Sequence, residues 1–347
     1  VAQGTTDRLL RAQAQAIGGG HREPSAAAVL DRVLAVQAQD LTAAALGLRV
    51  RAEGLTADAV QRATDTERTL VRGWFMRGTL QYVPAADARW LLALLGPVFL
   101  ALGARRLREL GLDEALCKRA EKLIADALDG EGPLTRGQLT DRLTTLGVPP
   151  KGQAAFHLIR RAALTGRICH GPQRDGEAAF VLLDDWLPAT GPLPFTGEAA
   201  EIELARRYRA AHGPATAADF AHWSGLKTGT CKRAWAAVPD SPQPALESGD
   251  EPDVRLLPAY DNYLVGYRSR ELSVPAEHER LVWPGGGQIR ATVMVDGLAV
   301  GTWSRDRRGG AVTVEPFPGN APWDPAVAAG IARESADITR FYTASHA

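Results

Sequence analysis

Three segments of helical periodicity run into a stretch suited to a hairpin, and that succession constrains the fold more than any other feature. Thr5 to Ile17 places Leu9, Leu10, Ala14 and Ile17 on one side, and Gly18-Gly19-Gly20 ends it. Pro24, with Glu23 and Ser25 beside it, opens a second helix whose apolar positions Val29, Leu30, Val33 and Leu34 recur at helical spacing. Thr56 is placed to cap a third, starting at Ala57-Asp58. The next stretch, 69–83, is rich in β-formers, interrupted by Gly73 and Gly78 and stopped by Pro84. It reads as one or two strands. Helices closed by a short hairpin make a winged-helix pattern, in which helices lie against a duplex and the hairpin reaches a groove or the backbone.

The pattern recurs. Asp113 to Asp129, a short helix from Leu134, and Gly152 to Leu164 precede two expected strands, 167–171 and 180–183. Glu198 to Ala211, a helix beginning near Pro214, and Thr228 to Ala237 form a third group. Gly-Pro-Leu-Thr-Arg near 132 and Gly-Pro-Ala-Thr-Ala near 213 look like matching turns of one unit. Residues 188–194 read as a linker and 239–252 as a polar loop. From Val254 the chain turns to β, with strands expected at 254–257, 262–267, 289–295, 298–303 and 311–314. Asp296-Gly297 is a strong hairpin signal. A last helix is expected from Asp324 to Phe341.

With 347 residues, 45% hydrophobic and 23% charged, the chain has mass for several cores. Forty basic residues balance forty acidic ones, which argues against a histone-like partner of nucleic acid but leaves local basic patches open. Cys117, Cys169 and Cys231 form no CxxC pair, so neither a zinc site nor a disulfide framework is expected, and a reducing, cytoplasmic setting fits. No membrane span is expected: the longest apolar run, Trp90 to Leu102, is short and contains Gly96-Pro97. His157, His170 and His222 sit in no ligand spacing and read as satisfied structural histidines. Gly285-Gly286-Gly287 precedes a strand, not a helix, so it lacks the dipole of a phosphate loop.

The candidate chemistry sits at Val36-Gln37-Ala38-Gln39-Asp40, where the second helix's pattern breaks. In an extended backbone, side chains at i and i+2 fall on one side, and both glutamines face the same space. Two convergent amides, each able to donate and accept, can hold a water in one orientation. The bland reading is a pair of solvated residues at a helix end. Asp40 is either a base or electrostatic helper or a cap of the next segment. Arg72 and Arg77 flank Trp74-Phe75-Met76 and are either ion-pair partners or cleft residues. Arg305, Arg307 and Arg308 lie on a glycine-rich hairpin tip suited to a groove or phosphate backbone. The other Arg clusters read as solvated helix faces.

These phrases occur in an order, VQAQD at 36–40, WFMRGTLQYV at 74–83, FVLLDDW at 180–186, GPATAADFAHWSGL at 213–226, LLPAYDNYLVGYRSR at 256–270 and VDGLAVGTW at 295–303, that resembles the bacterial AlkZ-type winged-helix DNA glycosylases. The resemblance covers nearly the whole chain. It is to the Gln-x-Gln branch, typified by the self-resistance glycosylase for azinomycin B; many relatives read RGTLH where this chain has Gln81. It implies an α+β fold of three tandem winged-helix units (1–112, 113–190 and the helical part 195–240) with a β-rich region, 254–347, forming a concave DNA-binding channel. It implies hydrolysis of the N-glycosidic bond of N7-alkylpurines, including azinomycin-type interstrand crosslinks, with Gln37 and Gln39 catalytic, Asp40 a candidate helper, and Arg72, Arg77, Arg305, Arg307 and Arg308 on DNA. The expected partner is double-stranded DNA carrying the lesion, bound by a monomer without metal or cofactor. A non-catalytic winged-helix regulator and a drug-sequestering resistance protein are the other classes, the former disfavoured by three fused units.

Overall fold

The structure, a computed structural model, describes residues 2–239, 245–247, 249, 251–306, 310–319 and 322–344. It divides into two compact units: residues 1–61 with 202–347, and residues 62–201. Strands are numbered along the chain: β1 (Val36–Gln37), β2 (Leu70–Trp74), β3 (Leu80–Pro84), β4 (Leu134–Thr135), β5 (Ile168–His170), β6 (Ala179–Leu182), β7 (Val254–Leu257), β8 (Thr292–Val295), β9 (Leu298–Arg305) and β10 (Val312–Pro316).

In the unit 62–201 the two expected hairpins form, with Leu70 opposite Pro84 and Ile168 opposite Leu182. They join through Arg72 opposite His170, giving the antiparallel order β3-β2-β5-β6-β4. Hairpins that the sequence assigns to successive units therefore share one sheet. Helices Ala85–Glu109, Glu114–Glu131, Arg136–Leu143 and Ala154–Leu164 accompany it. Asp113 caps the second through Leu116 N at 2.7 Å, and Thr135 with Gln138 forms a capping box on the third.

Gly96-Pro97 does not break its segment as expected. The helix runs unbroken from Ala85 to Glu109, with Pro97 inside it. By length and composition it is apolar enough to cross a membrane, yet it buries Trp90, Leu91, Leu95 and Phe99 in the protein, as core helices do. Gly96 lets it approach the end of helix Ala154–Leu164: a Cβ there would sit 2.2 Å from the Leu164 carbonyl oxygen. Pro97 is on the exposed side, where water can take the carbonyl that its missing N–H leaves.

The other unit combines N-terminal helices Ala2–Ala14, Ala26–Val33 and Leu41–Arg49 with a four-stranded antiparallel sheet, β10-β9-β8-β7, and the final helix Pro325–Thr343. Its core joins both ends of the chain: Ala12, Ile17 and Val50 meet Leu257, Tyr263, Tyr267, Met294 and Phe317. Asp296 and Gly297 both take positive φ (49° and 75°) in the β8–β9 turn, as the sequence signal requires. The first helix closes earlier than expected, at Ala14. Ala16 takes the left-handed position (φ 54°), and Ile17 N bonds back to Ala12 O at 3.0 Å.

Residues 262–267 are not a strand. Asn262–Val265 is a short helix whose first turn is capped by Asp261, accepting from Tyr263 N at 2.9 Å. Tyr263 in this helix and Tyr267 just beyond it both lie in the core. Asp261 is held in turn by Arg51 in a two-pronged ion pair at 2.7 and 2.8 Å, both side chains fully buried.

Candidate active site

Ser25 caps the helix Ala26–Val33 through Ala28 N at 3.1 Å, and Val29, Leu30 and Val33 bury its apolar stripe. The helix ends abruptly at Leu34 (φ 63°, ψ −39°), with Ala35 N bonded to Val33 O at 2.8 Å. This is a γ-turn with positive φ, a strained conformation for a residue bearing a Cβ. Burial of Leu34, only 1% exposed, holds it there. The turn redirects the chain into β1, and the pattern switches to a period of two. Val36 and Ala38 point inward, while Gln37 is half-buried and Gln39 exposed.

The two glutamines meet, with Gln37 Nε2 donating to Gln39 Oε1 at 3.2 Å. An amide oxygen has two lone pairs, so Gln39 Oε1 keeps one for a water, and the residue is exposed to solvent. Asp40 caps the next helix, Leu41–Arg49, accepting from Ala43 N at 3.0 Å. The far end of that helix is fixed by Arg49, which is fully buried and paired with Glu334 at 2.9 Å and Asp337 at 2.8 Å. Arg22 joins the same pair of carboxylates. Burial pushes Glu334 up, but Arg49, Arg22 and Arg255 outweigh it, and the carboxyl lies below its usual range. The motif is thus a short extended segment between two anchored helices.

Arg305 ends β9, opposite Val312 of β10, so the two strands flanking the expected basic tip pair. Its guanidinium lies over the Tyr342 ring, 3.9 Å from the centroid, with Nε buried and unbonded among the described residues. Arg307 and Arg308 lie outside the described residues. Arg72 and Arg77 belong to the other unit. Arg72 lies in the sheet between its cross-strand neighbours Tyr82 and His170. Burial lowers its pKa and pushes the Tyr82 phenol up to about 12, with the Arg72 charge acting against that rise. Arg77 holds a left-handed position, φ 58°, at the hairpin turn. Gln81 is buried and closes the same turn, donating to Met76 O at 3.1 Å and Thr79 Oγ1 at 3.2 Å.

His170 packs against Phe180 and Trp74, and burial beside Arg72 holds it neutral, well below its usual pKa. The cysteines are buried and free. Among the described residues no group of three His, Cys, Asp or Glu is placed to hold a metal. Arg105 and Arg106 pair with Glu109, and Arg206 and Arg207 with Glu203, as solvated helix faces do. Sequence reasoning passed over Tyr342 and the Arg49 and Arg51 networks. Only buried charge in apolar company marks the arginines, and nothing in Arg340-Phe341-Tyr342 marks the tyrosine.

The family model described as DNA glycosylase AlkZ-like matches residues 30–341, a span containing Gln37, Gln39 and Arg305. The interstrand DNA cross-link repair glycosylase of Streptomyces sahachiroi is 27% identical over 324 residues, covering 85% of this chain and 86% of that protein. Among solved structures, the Streptomyces sahachiroi DNA glycosylase AlkZ superposes with a TM-score of 0.80 at 24% identity, covering 97% of this chain and 96% of that one, which shows a shared fold. Matched along nearly its whole length by one family model, the chain belongs to the AlkZ-like DNA glycosylase family.

Proposed function

We propose that the protein unhooks and excises N7-alkylated purines from duplex DNA, including those tied into azinomycin-type interstrand crosslinks, by hydrolysis of the N-glycosidic bond. The observation that carries this reading is the Gln37–Gln39 amide pair, 3.2 Å apart on one side of an extended segment. An N7-alkylguanine is already cationic, so it needs no general acid to leave. The N9–C1′ bond breaks with its electron pair passing to the base, which neutralises the base's charge. Positive charge builds on the sugar, as in other glycoside hydrolyses. The protein's part is to set a water against C1′ and to face that charge with oxygen. Gln37 and Gln39 do both: the amide hydrogens and the remaining lone pair fix the water, and the carbonyl oxygens lie toward the developing cation. The water adds to C1′ and its proton passes to solvent, leaving an abasic site. A water nucleophile forms no Schiff base, so the enzyme is monofunctional in this reading.

Asp40 acts as the helix cap that fixes the end of the motif. DNA contact is assigned to the β2–β3 hairpin and to the β9–β10 hairpin of the β-rich C-terminal region, with Arg72, Arg77, Arg307 and Arg308 supplying charge. Support comes from family membership and from the cross-link repair relative.

The test is a single-turnover excision assay on a duplex with one defined N7-alkylguanine and on an azinomycin-crosslinked duplex. Wild type is compared with the Gln37→Ala/Gln39→Ala double variant. Release of modified base by wild type alone is the expected result. Full activity in the double variant sinks the site assignment. No release by wild type, with tight binding of undamaged duplex, favours a non-catalytic regulator.

A further inference from the structure

Tyr342 stands where the final helix meets the end of β9. It lies in the last turn of helix Pro325–Thr343 and is half-buried. Arg305, the last residue of β9, stacks its guanidinium on the ring at 3.9 Å. Beyond that contact the hairpin narrows: Asp306 N bonds to Ala311 O, and Gly310 N to Asp306 O, both at 2.9 Å. The charge of Asp40, the end of the glutamine motif, is felt at the phenol as well. Burial raises the phenol's pKa, the Arg305 charge opposes the rise, and the Asp40 carboxylate adds to it. The helix that Asp40 caps is tied at its far end to the same final helix, through Arg49 with Glu334 and Asp337.

Tyr342 Oη and Arg305 Nε are both buried without a hydrogen bond among the described residues. Buried donors normally find partners. Here the ring face lies against the guanidinium at the root of the hairpin.

We propose that Tyr342 is a positioning residue for excision: its ring seats Arg305 and so fixes the root of the β9–β10 hairpin in register with the Gln37–Asp40 segment. A hairpin pressed against DNA transmits its position to the motif through this seat. The reaction named here rests on the proposed function; the mechanical coupling does not.

Two measurements on the full chain separate them. Hydrogen exchange without DNA, at the amides of 36–40 and 301–306, reads the coupling. Tyr342→Ala and Arg305→Met are each expected to speed exchange in both segments, and Tyr342→Phe, which keeps the ring, to leave it as in wild type. Single-turnover excision and duplex binding at several salt concentrations, on a duplex with one N7-methylguanine, read the consequence. Tyr342→Ala is expected to slow excision by roughly 10- to 100-fold, the scale of a small misplacement. The salt slope of binding should not change, because no phosphate contact is lost, and Tyr342→Phe should restore the rate. Unchanged exchange at 36–40 in both Tyr342→Ala and Arg305→Met overturns the coupling. A Tyr342→Phe variant as impaired as Tyr342→Ala overturns the role of the ring, and a flattened salt slope in Arg305→Met returns Arg305 to the phosphates. If wild type releases no base, the glycosylase reading fails while the exchange result still decides the coupling.

Discussion

Gln37 hands one amide hydrogen to the side-chain oxygen of Gln39 at 3.2 Å, so the two residues two apart in sequence act on one volume of solvent. Groups that hold one water act as a unit, and their losses do not multiply. Each single change, Gln37→Ala or Gln39→Ala, is expected to slow single-turnover excision by roughly 100- to 1000-fold, the scale seen when one preorganised donor is removed. The double variant should be little slower than the worse single. Thermal midpoints should barely move, since Gln39 is exposed and Gln37 half-buried. A double variant whose loss equals the product of the two singles would mean that the amides work independently.

Asp40 accepts from Ala43 N, and that bond separates capping from base catalysis. Asn caps as well as Asp, whereas Ala does not, at a cost of about 1 kcal/mol. Asp40→Asn should therefore keep both stability and rate within a few-fold, while Asp40→Ala should lower the denaturation midpoint. A general base contributes roughly 100-fold or more. A loss of that size in Asp40→Asn, with stability retained, would make the carboxylate the base.

How much of this was legible depends on the range of the interaction. The convergence of Gln37 and Gln39 needed only an extended backbone at the end of a helical pattern, and Ala38 between them supplies the inward-facing position of the alternation. The Asp296-Gly297 turn and the β9–β10 hairpin were equally local. The device that makes the segment extended was not visible, because Leu34 carries no turn signal and keeps its positive φ only through burial. Asn262 to Tyr267 holds enough β-formers, Tyr263, Val265 and Tyr267, to pass for a strand. It is helical because Asp261 caps it, and Asp261 is held by Arg51 from 210 residues away. Gly96-Pro97 reads as a break, but packing against Leu164 and solvent on the proline side carry the helix through. Tyr342 gains its place from Arg305, which is not near it in sequence.

The Arg51–Asp261 pair is fully buried and two-pronged, and Gln15 Oε1 accepts a further Arg51 hydrogen at 3.1 Å. Removing one partner strands a charge. Arg51→Met is expected to cost roughly 3–5 kcal/mol, read from the denaturant midpoint at constant slope. Replacing both, Arg51→Met with Asp261→Leu, should recover part of that loss in the charge balance, short of full recovery because Asp261 also caps Asn262–Val265. A single variant as stable as wild type would mean that water reaches the pair.

His170 gives the unit 62–201 a stability that depends on pH. Its ring lies 4.5 Å from that of Phe180 and 5.3 Å from that of Trp74, and burial with the Arg72 charge depresses its pKa well below 6.5. In the unfolded chain the same imidazole takes up a proton near its ordinary value. The unfolded state thus binds more protons as pH falls below about 6.5, and the folded state loses stability there. Above that pH both states are neutral and the effect vanishes. Between pH 7.5 and pH 5 this histidine should remove on the order of 1–2 kcal/mol. His170→Phe removes the titration, and comparing each protein with itself at the two pH values cancels any packing cost of the larger ring. The variant should show a smaller drop in denaturant midpoint than wild type over that window. An equal drop in both would place the acid sensitivity in other groups, with His170 accepting its proton in the folded state.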